Sequence, residues 1–192
     1  GLADRVIGKG GAQAGDALLL TKPIGSGTIL AAEMALGQVP GLMLGEVWSD
    51  CIAQMSIAQG TAAAILAPEA RAMTDVTGFG LAGHLLEMLE ASGAAARLRL
   101  DDVPMMPGAV ELAGAGMGSS LQPANLAAVS WRMDAPQDAR AALLTDPQTC
   151  GGLLAAVPPE RAETLLKRLC EAGHTAALIG AVVAGPPRLE VA

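Results

Sequence analysis

The stretch Met73-Thr74-Asp75-Val76-Thr77-Gly78-Phe79-Gly80-Leu81-Ala82-Gly83-His84 constrains the fold more than any other part of the chain. A single carboxylate stands between two threonines, glycines follow, and an amphipathic run begins. This is the pattern of a strand end that turns into a helix while facing a charged ligand. Glycines let backbone approach closely, and the first N–H groups of a helix favour anions. Asp75 beside such a turn makes chemical sense if Mg²⁺ stands between it and a phosphate. The plainer reading is a glycine turn with an aspartate cap.

The flanking segments read as alternating strands and helices. Asp16–Lys22 is a buried strand stopped by Pro23, and Gly25-Ser26-Gly27-Thr28 leads into a helix over Ile29–Leu36. That second glycine turn is another candidate anion site, with Lys22 beside it as a solvated cation. Glu46–Leu66 has the spacing of one long helix, weakened at Gly60 and ended by Pro68. Ala70–Thr74 feeds the central motif as a short strand. After the turn, Leu81, Leu85, Met88 and Leu89 form an apolar stripe, with Gly93 as the helix end. Ala96–Leu100 alternates as a strand, and Gly108–Ala115 is a helix. Residues 116–140 show no regular pattern. The loop Thr145–Gly152 then stands between two apolar strands, Ala141–Leu144 and the run from Leu153. Pro158-Pro159-Glu160 opens a helix with Ala162, Leu165, Leu166, Leu169 and Cys170 on its core face. Strands at Ala176–Val183 and Leu189–Val191 close the chain. The expected fold is α/β (α+β layered), a mixed sheet packed with helices. Residues 1–15 are expected as a linker or edge segment, and residues 16–192 as a single domain.

Composition narrows the function classes. Aromatic residues make up 2% of the chain and hydrophobic ones 52%, so the core must be built from aliphatic side chains. The net charge of −7 offers no basic stripe for nucleic acid. An acidic chain holds a polyphosphate only through metal, backbone amides or cations supplied from elsewhere. The longest uncharged stretch, Leu112–Trp131, contains Pro123 and many polar residues and is not a membrane span. Three widely spaced cysteines, Cys51, Cys150 and Cys170, fit reduced thiols in the cytoplasm.

Several chemistries find no residues. No Ser-His-Asp arrangement stands out, and the two histidines, His84 and His174, lie outside any nucleophile motif. His84 reads as a capping or packing residue. Zinc spacing and a GxxxxGK[ST] phosphate loop are both lacking. Asp75 at its glycine turn and the second polar loop, Asp146–Gly152, together form half of a Mg²⁺–nucleotide site.

At these two loops a family resemblance emerges. Thr74–His84, followed by Asp146-Pro147-Gln148-Thr149-Cys150-Gly151-Gly152-Leu153-Leu154, resembles selenophosphate synthetase (selenide, water dikinase). Leu20–Gly27 and Leu121–Asn125 match as well. The resemblance covers nearly the whole chain but only the C-terminal half of that enzyme. It implies the C-terminal domain fold of the aminoimidazole ribonucleotide synthetase type, with an N-terminal ATP-binding domain that forms a homodimer. It implies conversion of selenide, ATP and water into selenophosphate, AMP and orthophosphate with Mg²⁺. Asp75 would be this half's metal ligand, with Thr74, Thr77, Gly78 and Gly80 at the ATP phosphates and Gln148 and Thr149 at a secondary pocket. The family's catalytic residues would lie in the other half. Two other classes compete: a related kinase or maturation enzyme of the superfamily, and a non-catalytic module of the same fold. Cys150 departs from the serine expected in that loop.

Overall fold

The computed structural model describes residues 6–192. Residues 1–5 of the expected linker lie outside the described residues. From Val6 to Gly15 the chain forms no helix or strand, and Gly8 O accepts a hydrogen bond from Met73 N at 3.0 Å.

Seven strands form one mixed sheet in the order β2-β5-β1-β6-β3-β7-β4. These are β1 (Ala17–Leu20), β2 (Ala72–Asp75), β3 (Ala95–Leu98), β4 (Met133–Asp134), β5 (Leu153–Val157), β6 (Ala177–Val183) and β7 (Leu189–Val191). The pairings of β1, β2, β3, β5 and β6 are antiparallel, while β7 runs parallel to both β3 and β4.

Successive side chains of a strand point to opposite faces, and here both faces are covered. Leu18, Leu20, Leu154 and Ala156 enter the larger core, under helices α1 (Ser26–Met34), α2 (Leu44–Ser56), α4 (Gly80–Ser92) and α5 (Ala109–Gly114). Ala17, Leu19, Ala155 and Val157 enter the smaller core, under α3 (Gly60–Leu66) and α8 (Pro159–Glu171). A strand buried on both faces has no polar positions, which is why β1 and β5 read as unbroken apolar runs. The helix stripe of Leu81, Leu85, Met88 and Leu89 is fully buried, and Gly93 closes that helix at φ 65°.

The structure corrects four expectations. The single helix over Glu46–Leu66 is two helices, broken at Ile57, which is extended. The break brings Gln59 Oε1 to the Thr21 hydroxyl, which donates to it. Residues 116–140 are not irregular: they hold α6 (Gln122–Val129), β4 and the start of α7 (Ala139–Ala142). The apolar segment Ala141–Leu144 is helical, because Asp138 caps α7 by accepting from Ala141 N at 2.8 Å and a 3-10 turn follows over Leu143–Thr145. Cys170 is exposed at the edge of α8, whose buried face is Ala162, Leu165 and Leu169.

Close backbone approach in mid-sheet fixes one glycine. A Cβ on Gly180, in β6 between β1 and β3, would lie 2.2 Å from Arg97 O. Gly180→Ala is expected to cost about 2–4 kcal/mol, because two hydrogen-bonded strands must part to admit the methyl group. Urea denaturation would show this as a lower midpoint at unchanged slope, and an unchanged midpoint would contradict it.

Candidate functional site

Three loops far apart in sequence meet at one end of β2, β5 and β1. They are the segment after β1 (Thr21–Gly25), the turn from β2 into α4, and the loop before β5. Val76 N donates to Gly152 O at 2.8 Å, Gln148 N to Thr77 O at 2.9 Å, and Thr21 N to Leu153 O at 3.0 Å. Their contact is too close for side chains. A Cβ on Gly151 would lie 2.1 Å from Val76 O, and one on Gly80 (φ 72°) would lie 2.8 Å from Leu144 O. Asn125, at the foot of α6, ties the cluster together by donating to Gly78 O at 2.8 Å and to Thr145 O at 3.0 Å. The sequence offered Asn125 only as part of a matching segment, with no hint of this bridging role.

Asp75 is the last residue of the edge strand β2, and its side chain is exposed. Among the described residues its carboxylate has no hydrogen bond or ion pair. Thr74 is buried, its hydroxyl donating to Asp75 O at 3.2 Å. Gly78 is exposed at the turn and Thr77 is half-buried. Gln148 and Thr149 do not form an open secondary pocket. The Gln148 amide is used up inside the protein: its Oε1 accepts from Gly25 N, Ser26 N and Ser26 Oγ, and its Nε2 donates to Asp146. Thr149 is exposed, and its N–H donates to Ser26 Oγ at 2.9 Å.

The second glycine turn is not an open anion site either. The N-terminus of α1 is taken by the protein's own carboxylate. Asp146 is fully buried, with Gly27 N donating to Oδ2 at 3.0 Å and the Thr28 hydroxyl to Oδ1 at 2.9 Å. Burial raises its pKa above the ordinary carboxylate value, and the hydrogen bonds from Thr28, Gln148 and Gly27 work against that rise.

Lys22 is buried rather than solvated, at 2% exposure. Its ammonium donates to Cys150 O at 2.9 Å and to Met55 O at 3.3 Å. Burial lowers its pKa, and the neighbouring Cys150 side chain works in the opposite direction. The ammonium thus clamps the loop before β5 at Cys150, a residue with φ 50°, where non-glycine residues are uncommon. A lysine closing an apolar strand and followed by proline was the available signal. Cys51 is also buried, and its thiol is pushed up to about 11 by burial and then by Asp146. Burial lowers the pKa of His174, with Lys22 adding to the effect.

A row of side chains that the sequence did not announce lies within the central motif. His84 is buried at 5% exposure. Its Nε2 is 3.1 Å from Thr77 Oγ1, and its Nδ1 is 3.1 Å from Glu87 Oε2. Glu87 in turn accepts from Lys9 Nζ at 2.7 Å. Hydroxyl, imidazole and carboxylate therefore stand in line, where the sequence suggested no such arrangement. The spacing His84–Glu87, one turn of α4, was the legible part of it.

Among the described residues, no group of three His, Cys, Asp or Glu side chains could hold a metal ion. The described residues by themselves therefore form no closed metal site. The single open carboxylate of Asp75 does fit one class of ion: Mg²⁺ keeps several waters and takes one or two carboxylates together with substrate phosphates. No helix among the described residues is long and apolar enough to cross a membrane.

A mixed sheet covered on both faces, with three loops gathered at one strand end, defines an α/β domain. Its family follows from comparison: residues 13–191 match the family described as AIR synthase related protein, C-terminal domain, and the chain belongs to that family. It is similar to a selenide, water dikinase from Myxococcus xanthus (strain DK1622), at 39% identity over 193 residues, covering 97% of this chain and 53% of that protein. The chain spans about half the length of the curated relatives it matches. Among solved structures, it shares its fold with thiamine-monophosphate kinase from Stenotrophomonas maltophilia K279a. The TM-score is 0.71 at 17% identity, covering 97% of this chain and 53% of that one. It also shares the fold of the hydrogenase maturation protein HypE solved in complex with ATP, with a TM-score of 0.58 at 20% identity, covering all of this chain (100%) and 52% of that one.

Proposed function

We propose that this chain is the C-terminal part of a selenide, water dikinase and supplies one wall of a shared ATP site. The full enzyme would form selenophosphate, AMP and orthophosphate from selenide, ATP and water. The observation that carries this reading is the convergence of the three loops on an edge strand that ends in an open carboxylate, Asp75. The identity to proteins named selenide, water dikinase supports the substrate class, and the ATP complex of a protein sharing this fold supports the nucleotide.

In this reading Asp75 holds Mg²⁺ together with groups of the other half, and Thr74, Thr77, Gly78 and Gly80 form the turn beside the phosphates. The ion, when bound, orients the polyphosphate and offsets its charge. The chain's own contribution is to hold Asp75 and the turn in register through the loop before β5. The N-terminal half brings the nucleotide-binding groups and the dimer contact; the enzyme works in the cytoplasm, with residues 16–192 as a single domain joined to that half. The sharing of one fold with thiamine-monophosphate kinase and HypE keeps a second reading, a related ATP-dependent enzyme of the superfamily.

A shared site makes a direct prediction for the isolated chain. Titration calorimetry should show little or no heat of Mg²⁺-ATP binding, because one carboxylate and a turn cannot hold a polyphosphate on a chain of net charge −7. Micromolar binding would contradict the reading by placing a complete nucleotide site here.

A further inference from the structure

We propose that Thr77, His84 and Glu87 form a proton relay that holds and activates the attacking water in the phosphoryl transfer. The inference rests on the function proposed above and gives the Thr77 hydroxyl a role opposite to phosphate binding.

The direction of the relay follows from its carboxylate end. Glu87 Oε2 already accepts from Lys9 Nζ at 2.7 Å, so it accepts from His84 as well, and Nδ1 carries the proton that lies between them at 3.1 Å. In the neutral imidazole Nε2 is then bare and can only accept. Its partner at 3.1 Å is Thr77 Oγ1, so the threonine hydroxyl points its hydrogen inward, at His84. What Thr77 presents outward is a pair of oxygen lone pairs. Such a group does not suit a phosphate oxygen, which is itself an acceptor. It suits a donor, and we place the water of the proposed reaction there.

The surroundings support the assignment. His84 is 5% exposed, so its ring is shielded from bulk water. The Phe79 ring lies 5.6 Å from it, centroid to centroid. The charged groups at the relay are Glu87 and, on the same Glu87 oxygen, Lys9 at 2.7 Å. Thr77 is held in place by its own carbonyl, which accepts from Gly80 N at 3.0 Å and Gln148 N at 2.9 Å. The hydroxyl therefore sits at a fixed point of the turn that begins at Asp75.

The step balances without any added reactant. The water oxygen forms a bond to phosphorus as the phosphoanhydride P–O bond breaks, and the leaving phosphate takes that electron pair. The water proton passes to Thr77 Oγ1 while the Thr77 proton passes to His84 Nε2. The resulting imidazolium rests against the Glu87 carboxylate until its proton is lost to the departing phosphate or to solvent. Thr77 touches the reacting water. His84 and Glu87 act through it and are positioning residues.

The test uses the full-length enzyme. Nitrogen-15 NMR of the histidine rings should show His84 as the Nδ1–H tautomer with bare Nε2, and Glu87→Gln should shift the population toward Nε2–H. In kinetics, His84→Gln should lower kcat about a hundredfold, in the range for general-base catalysis, with KM for ATP changed less than about threefold. Thr77→Val should lose a similar factor, Thr77→Ser should retain activity, and the double variant Thr77→Val/His84→Gln should be no slower than either single one. An Nε2–H or doubly protonated ring in the wild type, full kcat in His84→Gln, or losses that multiply in the double variant would each overturn the relay. A wild-type enzyme with no ATP turnover would sink the functional reading instead, and the tautomer measurement would still decide the hydrogen-bond direction.

Discussion

Asp146→Ala is expected to destabilise the protein by about 3–5 kcal/mol, the largest loss of any single side chain outside the apolar core. The carboxylate is fully buried and serves three groups at once: Gly27 N, the Thr28 hydroxyl and Gln148 Nε2. Removing it strands those donors and frees the N-terminus of α1, to which Gln148 is also bound. Chemical denaturation gives the measurement, and a loss below about 1 kcal/mol would mean that water replaces the carboxylate there. Asp146→Asn keeps one acceptor and should lose roughly half as much. The pH dependence has a definite sign. Burial raises the Asp146 pKa, so the folded state holds the proton more tightly than the unfolded one. Its contribution is fully present below the ordinary carboxylate value of about 4 and declines as pH rises through the folded value. The advantage of wild type over Asp146→Asn should therefore narrow from acid toward neutral pH, and widening would contradict the direction of the shift.

Much of the fold was legible because it follows from local rules. β1 and β5 are apolar at every position since both faces are covered, and α8 declares itself by Pro158-Pro159-Glu160 and its stripe. The parts that escaped are held by long-range contacts. α6 exposes Leu126 at 47%, with Leu121 just before it at 57%, and buries only Val129, so it lacks the apolar period that marks a helix. Two hydrogen bonds from Asn125 hold it instead. The break between α2 and α3 depends on Gln59 reaching Thr21, which propensity does not record.

The candidate site was legible as a motif but not as a geometry. Asp75 stands where the sequence placed it, open at the end of an edge strand. Lys22 is not solvated and the Gln148 amide does not face an open pocket, because burial of a polar side chain depends on partners such as Cys150 O and Ser26 that lie more than a hundred residues away, at separations of 128 and 122. His84 was read as packing on its own, and only the fold shows it between Thr77 and Glu87.

In the function proposed above, the Asp75 carboxylate is this chain's ligand to the metal–phosphate cluster of a shared site. The most direct measurement is Mg²⁺-dependent AMP formation from ATP and selenide by the full-length protein carrying Asp75→Asn. Asparagine keeps the size and removes the charge at an exposed position, so the fold should be unchanged by circular dichroism. Turnover should fall at least about a hundredfold, as when a single preorganised electrostatic contact is removed. Undiminished turnover would contradict this role for Asp75.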